Sequence, residues 1–361
     1  MILKKLDIYI ARKFLGSVFF MLTITAIVSV VFDLSEKLND FNLSHPTTKQ
    51  IVFDYYLNFV PTIINLISSL VIFISALYFT SRLANQSEII AILSSGISYY
   101  RFLRPYILVA LLLACVDIGL KNYVFPKAYS KVLAFEDRFI VRGYQYSYKN
   151  IHRKLPNNQY FYAKSIDYSI NRAYEFAFEE FDADGKLLSK TRAGEAFYDT
   201  VKHNWLVVNY LKRTYNGDAE SISKGDSLRL NLKLSIKEFG QKIKSVPSMT
   251  TPELNAQIIE ESDKGDDVMS YLQVEKFKRI AAPFDTVIMV VIAVALSSRK
   301  IRGGLGTHLL IGILIAVSHE LFGRFSITFA TNSNFPPQLA ILIPTAVYGL
   351  IALVLLRVAQ K

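Results

Sequence analysis

Apolar and polar positions alternate at two different scales along this chain. Six runs, roughly 14–32, 57–79, 105–120, 280–298, 307–330 and 339–356, are apolar for long enough to predict membrane-spanning helices. At about 1.5 Å per residue the first run is roughly 28 Å long, close to the roughly 30 Å of a hydrocarbon core. The third is short and contains Asp117, and the fifth contains His319, Glu320 and Arg324. Between the third and fourth runs the period drops to two. "QYFYAKSI", "AYEFAFEEFD", "GEAFYDTV" and "NWLVVNYLKRTY" alternate as half-buried strands do, and "DADG" (182–185) and "YNGD" (215–218) supply turns. These short strands predict one antiparallel β-domain, a sandwich or jelly roll. "TTPELNAQIIEE" then reads as a capped surface helix leading back to the membrane.

The expected architecture is therefore an α-helical membrane protein with six transmembrane helices and an inserted all-β, jelly-roll-like domain. Residues 1–121 hold the first three spans, 122–247 the β-domain, and 248–361 the connecting helix and last three spans. The start, "MILKKLDIYIARKFLGSVFFMLTITAIVSVVF", opens on bases like a signal peptide. Its apolar stretch is too long and lacks a small-x-small cleavage site, so it reads as an uncleaved span.

Composition agrees with a membrane class: 52% of residues are hydrophobic. Charge adds an orientation. With the N-terminus inside, the short inner segments 1–13, 81–104, 298–306 and 356–361 hold 12 Lys and Arg against Asp7 and Glu88. The short outer segments hold Lys37 and Lys49 against Asp33, Glu36, Asp40 and Asp54. That asymmetry puts both termini in the cytoplasm and the β-domain outside. The bases flank apolar spans and form no stripe, which argues against nucleic-acid binding.

Little in the sequence points to catalysis. There is no G-x-x-x-x-G-K-[ST] loop to cradle ATP, and "RGGLG" (302–306) links two spans without following a strand. "DADG" lacks the distal ligand of a calcium loop, the histidines have no zinc spacing, and the single cysteine, Cys115, lies in an apolar run. No cofactor or metal is expected.

Charges inside the spans carry more information, because each needs a partner or a wet face. Asp117 and Lys121 are at i,i+4, as are Glu320 and Arg324, so each pair is set to compensate on its own helix. His319 adds a third polar group beside the second pair. Arg279 and Asp285 flank Pro283 near the inner end of the fourth span and read as membrane-interface anchors. Between spans two and three, "SEIIAILSSGIS" supplies an acid at a helix start, an apolar side and a glycine stop. Such a cytoplasmic helix, near 82–98, is suited to seat in a partner's groove.

The succession "LDIYIARKFL", "FDLSEKL", "LANQSEIIAILSSGIS", "FKRIAAPFDTVIM" and "GGLGTHLLIGILIA" resembles the LptF/LptG permease family from end to end. The resemblance implies the transmembrane half of an ABC transporter that extracts lipopolysaccharide from the bacterial inner membrane and passes it through a periplasmic β-jellyroll. It implies a partner permease of LptF/LptG type, an LptB-type ATPase dimer that does the hydrolysis, and LptC- and LptA-type periplasmic proteins. Glu88, with Ser94, Ser95 and Gly96, would couple to the ATPase. Lys37, Glu320, Arg324, Phe161, Phe176, Phe178 and Trp205 are candidates for lipid contact. The opening motifs resemble LptG more than LptF. One departure is that Val30 stands where several LptG-type relatives carry a lysine, leaving Lys37 as the nearest outer base. The rival reading is a membrane-anchored periplasmic scaffold or signal transmitter on an ABC module.

Overall fold

The computed structural model describes residues 5–140, 148–167, 170–217, 219–232, 234, 245–262, 268–299, 304–333 and 335–359. They divide into two compact units: Met1–Ile140 with Ser248–Thr251 and Gln273–Lys361, and Val141–Pro247 with Pro252–Leu272.

The first unit is helical. It contains α1 (Lys5–Ser44), α2 (Leu57–Asn85), α3 (Glu88–Ser94), α4 (Tyr99–Gly119) and α5 (Phe125–Phe139). It also holds most of α7 (Val268–Ser297), with α8 (Gly304–Asn332) and α9 (Pro337–Ala359); α6 (Thr251–Glu261) falls almost wholly in the second unit. Among the described residues, six helical rods are long and apolar enough to cross a membrane. The rods outrun the apolar runs that announce them. α1 has 40 residues, about 60 Å of helix, so it projects beyond the bilayer. The third run, short in sequence, belongs to a rod of 41 residues, Tyr99–Phe139, because the π-helical segment Leu120–Val124 joins α4 to α5 without a break. The chain position 121/122, read above as a domain boundary, lies inside this rod. A second π segment, Gln50–Tyr56, leads into α2.

The bundle core is made by Ile10 and Phe14 of α1, Phe73 and Leu77 of α2, Phe102 and Tyr106 of α4, and the Met289–Val294 stretch of α7. α7 is the central helix, with 56% of its most apolar window buried; α1 and α8 are peripheral, at 11% and 17%. Their outer faces carry Phe19, Phe20, Ile24 and Ile27, and Leu310, Leu314, Leu321 and Phe325. So much exposed apolar surface belongs in lipid or against another subunit.

The second unit holds six antiparallel strands: β1 (Tyr148–Leu155), β2 (Gln159–Asp167), β3 (Arg172–Phe181), β4 (Leu187–Asp199), β5 (Asn204–Asn216) and β6 (Ala219–Leu230). They pair in chain order, β1-β2-β3-β4-β5-β6. Among the described strands the order is a meander, without the Greek-key crossing of a jelly roll, because short turns fold each strand onto the one before it. Asn157 and Asn158 both take positive φ (63° and 53°) in the three-residue turn that joins Leu155 of β1 to Gln159 of β2, a conformation asparagine tolerates well. Asp182 Oδ1 accepts from the amides of Asp184 and Lys186, and Gly185 (φ 81°) completes the "DADG" turn. In "YNGD", Gly217 has φ 65°, and Asp218 lies outside the described residues.

One face of the sheet closes on itself. Phe161 of β2 and Trp205 of β5 have ring centroids 5.3 Å apart. In a flat sheet, strands three places apart are separated by about 14 Å. The sheet is therefore strongly curled. Trp205 Nε1 donates to the Leu234 carbonyl at 2.9 Å, tying the chain beyond β6 over this core.

Candidate functional site

α3 begins after Ser87, whose φ of 60° turns the chain sharply out of α2. It ends at Gly96, at φ 87°, a backbone conformation that favours glycine. Its seven residues present two sides. Ile89 is buried in the bundle core, with Ile92 and Leu93 packed against it, while Ile90, Ala91, Ser94, Ser95 and Gly96 are exposed. Glu88 is half-buried and accepts from the Tyr9 hydroxyl at 3.4 Å, a long bond to α1.

Two further contacts stiffen this end of the bundle. Arg101, in the first turn of α4, gives a bidentate pair to Asp7 of α1, with Nη1–Oδ1 2.6 Å and Nη2–Oδ2 2.7 Å. Ser81 at the end of α2 and His308 at the start of α8 are joined at 2.7 Å between Oγ and Nδ1. α1, α2, α4 and α8 are thus cross-linked where α3 departs.

At the opposite end, Lys37 lies in a half-closed polar cluster. Its ammonium is 2.7 Å from Asp33 and 3.1 Å from Glu136 of α5, contacts the Tyr55 hydroxyl, and sits 4.6 Å from the Tyr55 ring centroid. Two carboxylates already neutralise it. A lipid phosphate would have to displace one of them.

Arg279 is 9% exposed and pairs with Glu275 at 2.9 Å. It also donates to the Met249 carbonyl and the Thr251 hydroxyl, and Thr251 in turn donates to Asn122. Asn122 is where the third rod has finished crossing away from α3. Sequence puts Arg279 near the inner end of the fourth span; in the structure it lies on the half of α7 remote from α3, because rods three and four run in opposite directions. Arg279 is a buried clamp on the chain that enters α6.

Asp285 belongs to a polar cluster within the helices. Thr345 of α9 donates to its Oδ1 at 2.7 Å, and His319 Nε2 lies 3.9 Å from the same oxygen. The His319 ring meets Tyr348 edge-on at 4.6 Å, and the Tyr348 hydroxyl is 2.6 Å from Ser318 Oγ. His319 therefore turns inward, away from its chain neighbour Glu320. Glu320 and Arg324 do pair, at 2.9 Å, but on the outer face of α8, where their side chains are 59% and 64% exposed. Asp117 and Lys121 pair at 2.8 Å and are largely buried.

In the β-unit, Phe161, Phe176, Phe178 and Trp205 share the inner face and none is more than 3% exposed. The first, second and fourth pack ring to ring. Among the described residues they are buried in one packed core.

Sequence reasoning missed Asp7–Arg101, Ser81–His308 and the cluster around Asp285. Only the presence of charges and hydroxyls within or beside apolar runs pointed to them.

A family model described as lipopolysaccharide export system permease LptF/LptG matches residues 8–358, nearly the whole chain. No curated protein matches it. The chain belongs to the LptF/LptG family.

Proposed function

We propose, from membership of this family of lipopolysaccharide-export permeases, that the chain is the LptG-like half of an inner-membrane ABC transporter. ATP hydrolysis belongs to a separate LptB-type ATPase dimer. The observation that carries this reading is the construction of α3. Its apolar side is anchored in the bundle core, its other side is bare, and its surroundings are cross-linked by Asp7–Arg101 and Ser81–His308. A loose loop would absorb a push; a short helix with a buried root transmits it. Glu88, Ser94, Ser95 and Gly96 form the part offered to the ATPase, on the cytoplasmic side together with both termini.

The bare outer faces of α1 and α8 would meet an LptF-type partner and enclose the lipid between them. Glu320 and Arg324 sit on such a face, and a charged pair this exposed is unsuited to acyl chains. Arg324 is the better base for an anionic headgroup, since Lys37 is held by Asp33 and Glu136. The periplasmic β-unit would then take the acyl chains against Phe161, Phe176, Phe178 and Trp205 after its curl opens, towards LptC- and LptA-type proteins. Arg279 and Asp285 have structural roles.

The test is reconstitution with the partner permease and the ATPase in vesicles containing lipopolysaccharide. ATP-dependent photo-crosslinking of lipid at inner-face positions of the β-unit, and none at outer-face positions, is the expected result. Equal labelling of both faces, or an assembled complex that carries no lipopolysaccharide, would favour the scaffold reading.

A further inference from the structure

The outer face of the β-sheet has a feature that acyl-chain transfer leaves unused. A hollow of about 730 Å³ lies over β1–β4, with His152, Tyr160, Tyr162, Ala177, Lys190, Arg192 and Gly194 among its lining. A second hollow of about 420 Å³ continues it towards the Asn158 and Gly185 turns, and the two share Tyr160 and Glu179. The first hollow alone has the volume of a small-ligand site.

Register explains the shape. His152, Tyr162, Ala177 and Arg192 are successive cross-strand partners, so they form one row across four strands. At one end His152 and Tyr162 pack with ring centroids 4.6 Å apart. Ala177 leaves a gap, and Arg192 stands beyond it. Strands lie about 4.8 Å apart, so the aromatic wall and the guanidinium rise from backbones about 10 Å apart. Gly194 lowers the floor on the next row. In the neighbouring rows Lys190 pairs with Glu179 and Lys164 with Glu175, while Lys154 lies 6.0 Å from the Tyr160 ring centroid. Arg192 is exposed and has no carboxylate partner among the described residues. Glu175 is held at φ 48°, a strained conformation for a non-glycine residue, at the edge of this hollow.

We propose that this slot binds an anionic saccharide. A sugar ring lays its C–H face on Tyr162 and His152 over Ala177. Its phosphate or carboxylate meets Arg192, and Glu179 and Glu175 accept from its hydroxyls. The assignment of that saccharide to the carbohydrate end of the exported glycolipid rests on the transport reading above. One sheet would then hold the two ends of one amphiphile on opposite faces.

The experiment uses the full-length protein in detergent, titrated with O,N-deacylated lipopolysaccharide, which keeps sugars and phosphates but has no acyl chains. Binding is followed by calorimetry and saturation-transfer NMR. Wild type should bind, with the sugar ring protons saturated. Arg192→Gln, Tyr162→Ala and Ala177→Leu, which fills the gap without removing a charge, should each weaken binding at least ten-fold. All three should keep wild-type acyl-chain crosslinking on the inner face. No binding by wild type, or undiminished binding by both Arg192→Gln and Ala177→Leu, would overturn the proposal. A neutral oligosaccharide that binds as tightly as the phosphorylated one would overturn the role of Arg192. Saccharide binding without inner-face crosslinking supports the slot while sinking the acyl route, so the two readings fail separately.

Discussion

Asp7 and Arg101, 94 positions apart, are joined by two parallel hydrogen bonds of 2.6 and 2.7 Å, and Asp7 is 3% exposed. The pair ties the first rod to the third immediately beside α3. Removal of the guanidinium leaves a buried carboxylate without its partner, a larger loss than removal of both groups. Arg101→Ala should lower the unfolding temperature in detergent by several degrees and reduce ATPase-coupled export. Asp7→Asn with Arg101→Gln should recover part of the stability. A double variant no more stable than Arg101→Ala would show that the pair is incidental.

Among the described residues the Glu88 carboxylate has one hydrogen bond, the long one from Tyr9, so its replacement should leave the bundle intact. Glu88→Lys, which reverses the sole acid of the 81–104 segment, should cut recovery of the ATPase on an affinity column at least ten-fold with normal membrane insertion. Tyr9→Phe should have little effect. Undiminished ATPase recovery and export with Glu88→Lys would rule out the coupling role.

For Glu320 and Arg324, exposure separates fold from transport. Both should tolerate neutralisation, with stability changing by less than about 0.5 kcal/mol, the usual range for exposed sites. Export should fall in Arg324→Gln and stay low in Glu320→Gln/Arg324→Gln. Full recovery in the double variant would reduce the pair to internal compensation.

Gly312 of α8 packs against Leu77 of α2. A Cβ there would lie 2.5 Å from Leu77 Cδ2, and Leu77 is fully buried. Gly312→Ala should therefore destabilise the bundle by roughly 1–3 kcal/mol through overpacking. The double with Leu77→Ala should lose less than the two singles added together, because the space vacated faces the new methyl group. Thermal unfolding of the two singles and the double tests this coupling.

Acid should loosen the β4–β5 turn first. The amides of Lys202 and Val201 donate to Asp199 and hold its carboxyl below the ordinary value of 3.8. A group whose pKa is lower folded than unfolded stabilises the fold fully above the unfolded value. That contribution fades as pH falls from about 3.8 through the folded value. Hydrogen exchange at Val201 and Lys202, corrected for intrinsic rates, should accelerate across that window in wild type. In Asp199→Ala it should be fast throughout.

The elements were legible because their physics is local. A bilayer demands about 20 apolar residues in succession, so the spans announce themselves, and alternation announces a half-buried strand. Glu320–Arg324 and Asp117–Lys121 were legible for the same reason, since a helix brings positions four apart together wherever it lies. β1 and β6 escaped notice because "YKNIHRKL" and "AESISKGDSLRL" lack a clean alternation: their outer faces are polar and much of β6 is exposed on both.

Which residues meet across elements was decided only by the tertiary structure. Apolar helices in lipid all satisfy the same hydropathy, so nothing in the run around His319 says that it faces Asp285 and Tyr348 while Glu320 faces outward. Nor does the run around Lys37 say that Glu136 will neutralise it. In the sheet, alternation put Phe161, Phe176 and Trp205 on one face, but the curl that brings β2 to β5 is what closes them into a core. Periodicity is set by bonds along the chain; proximity is set by packing between segments that the chain itself leaves free to choose.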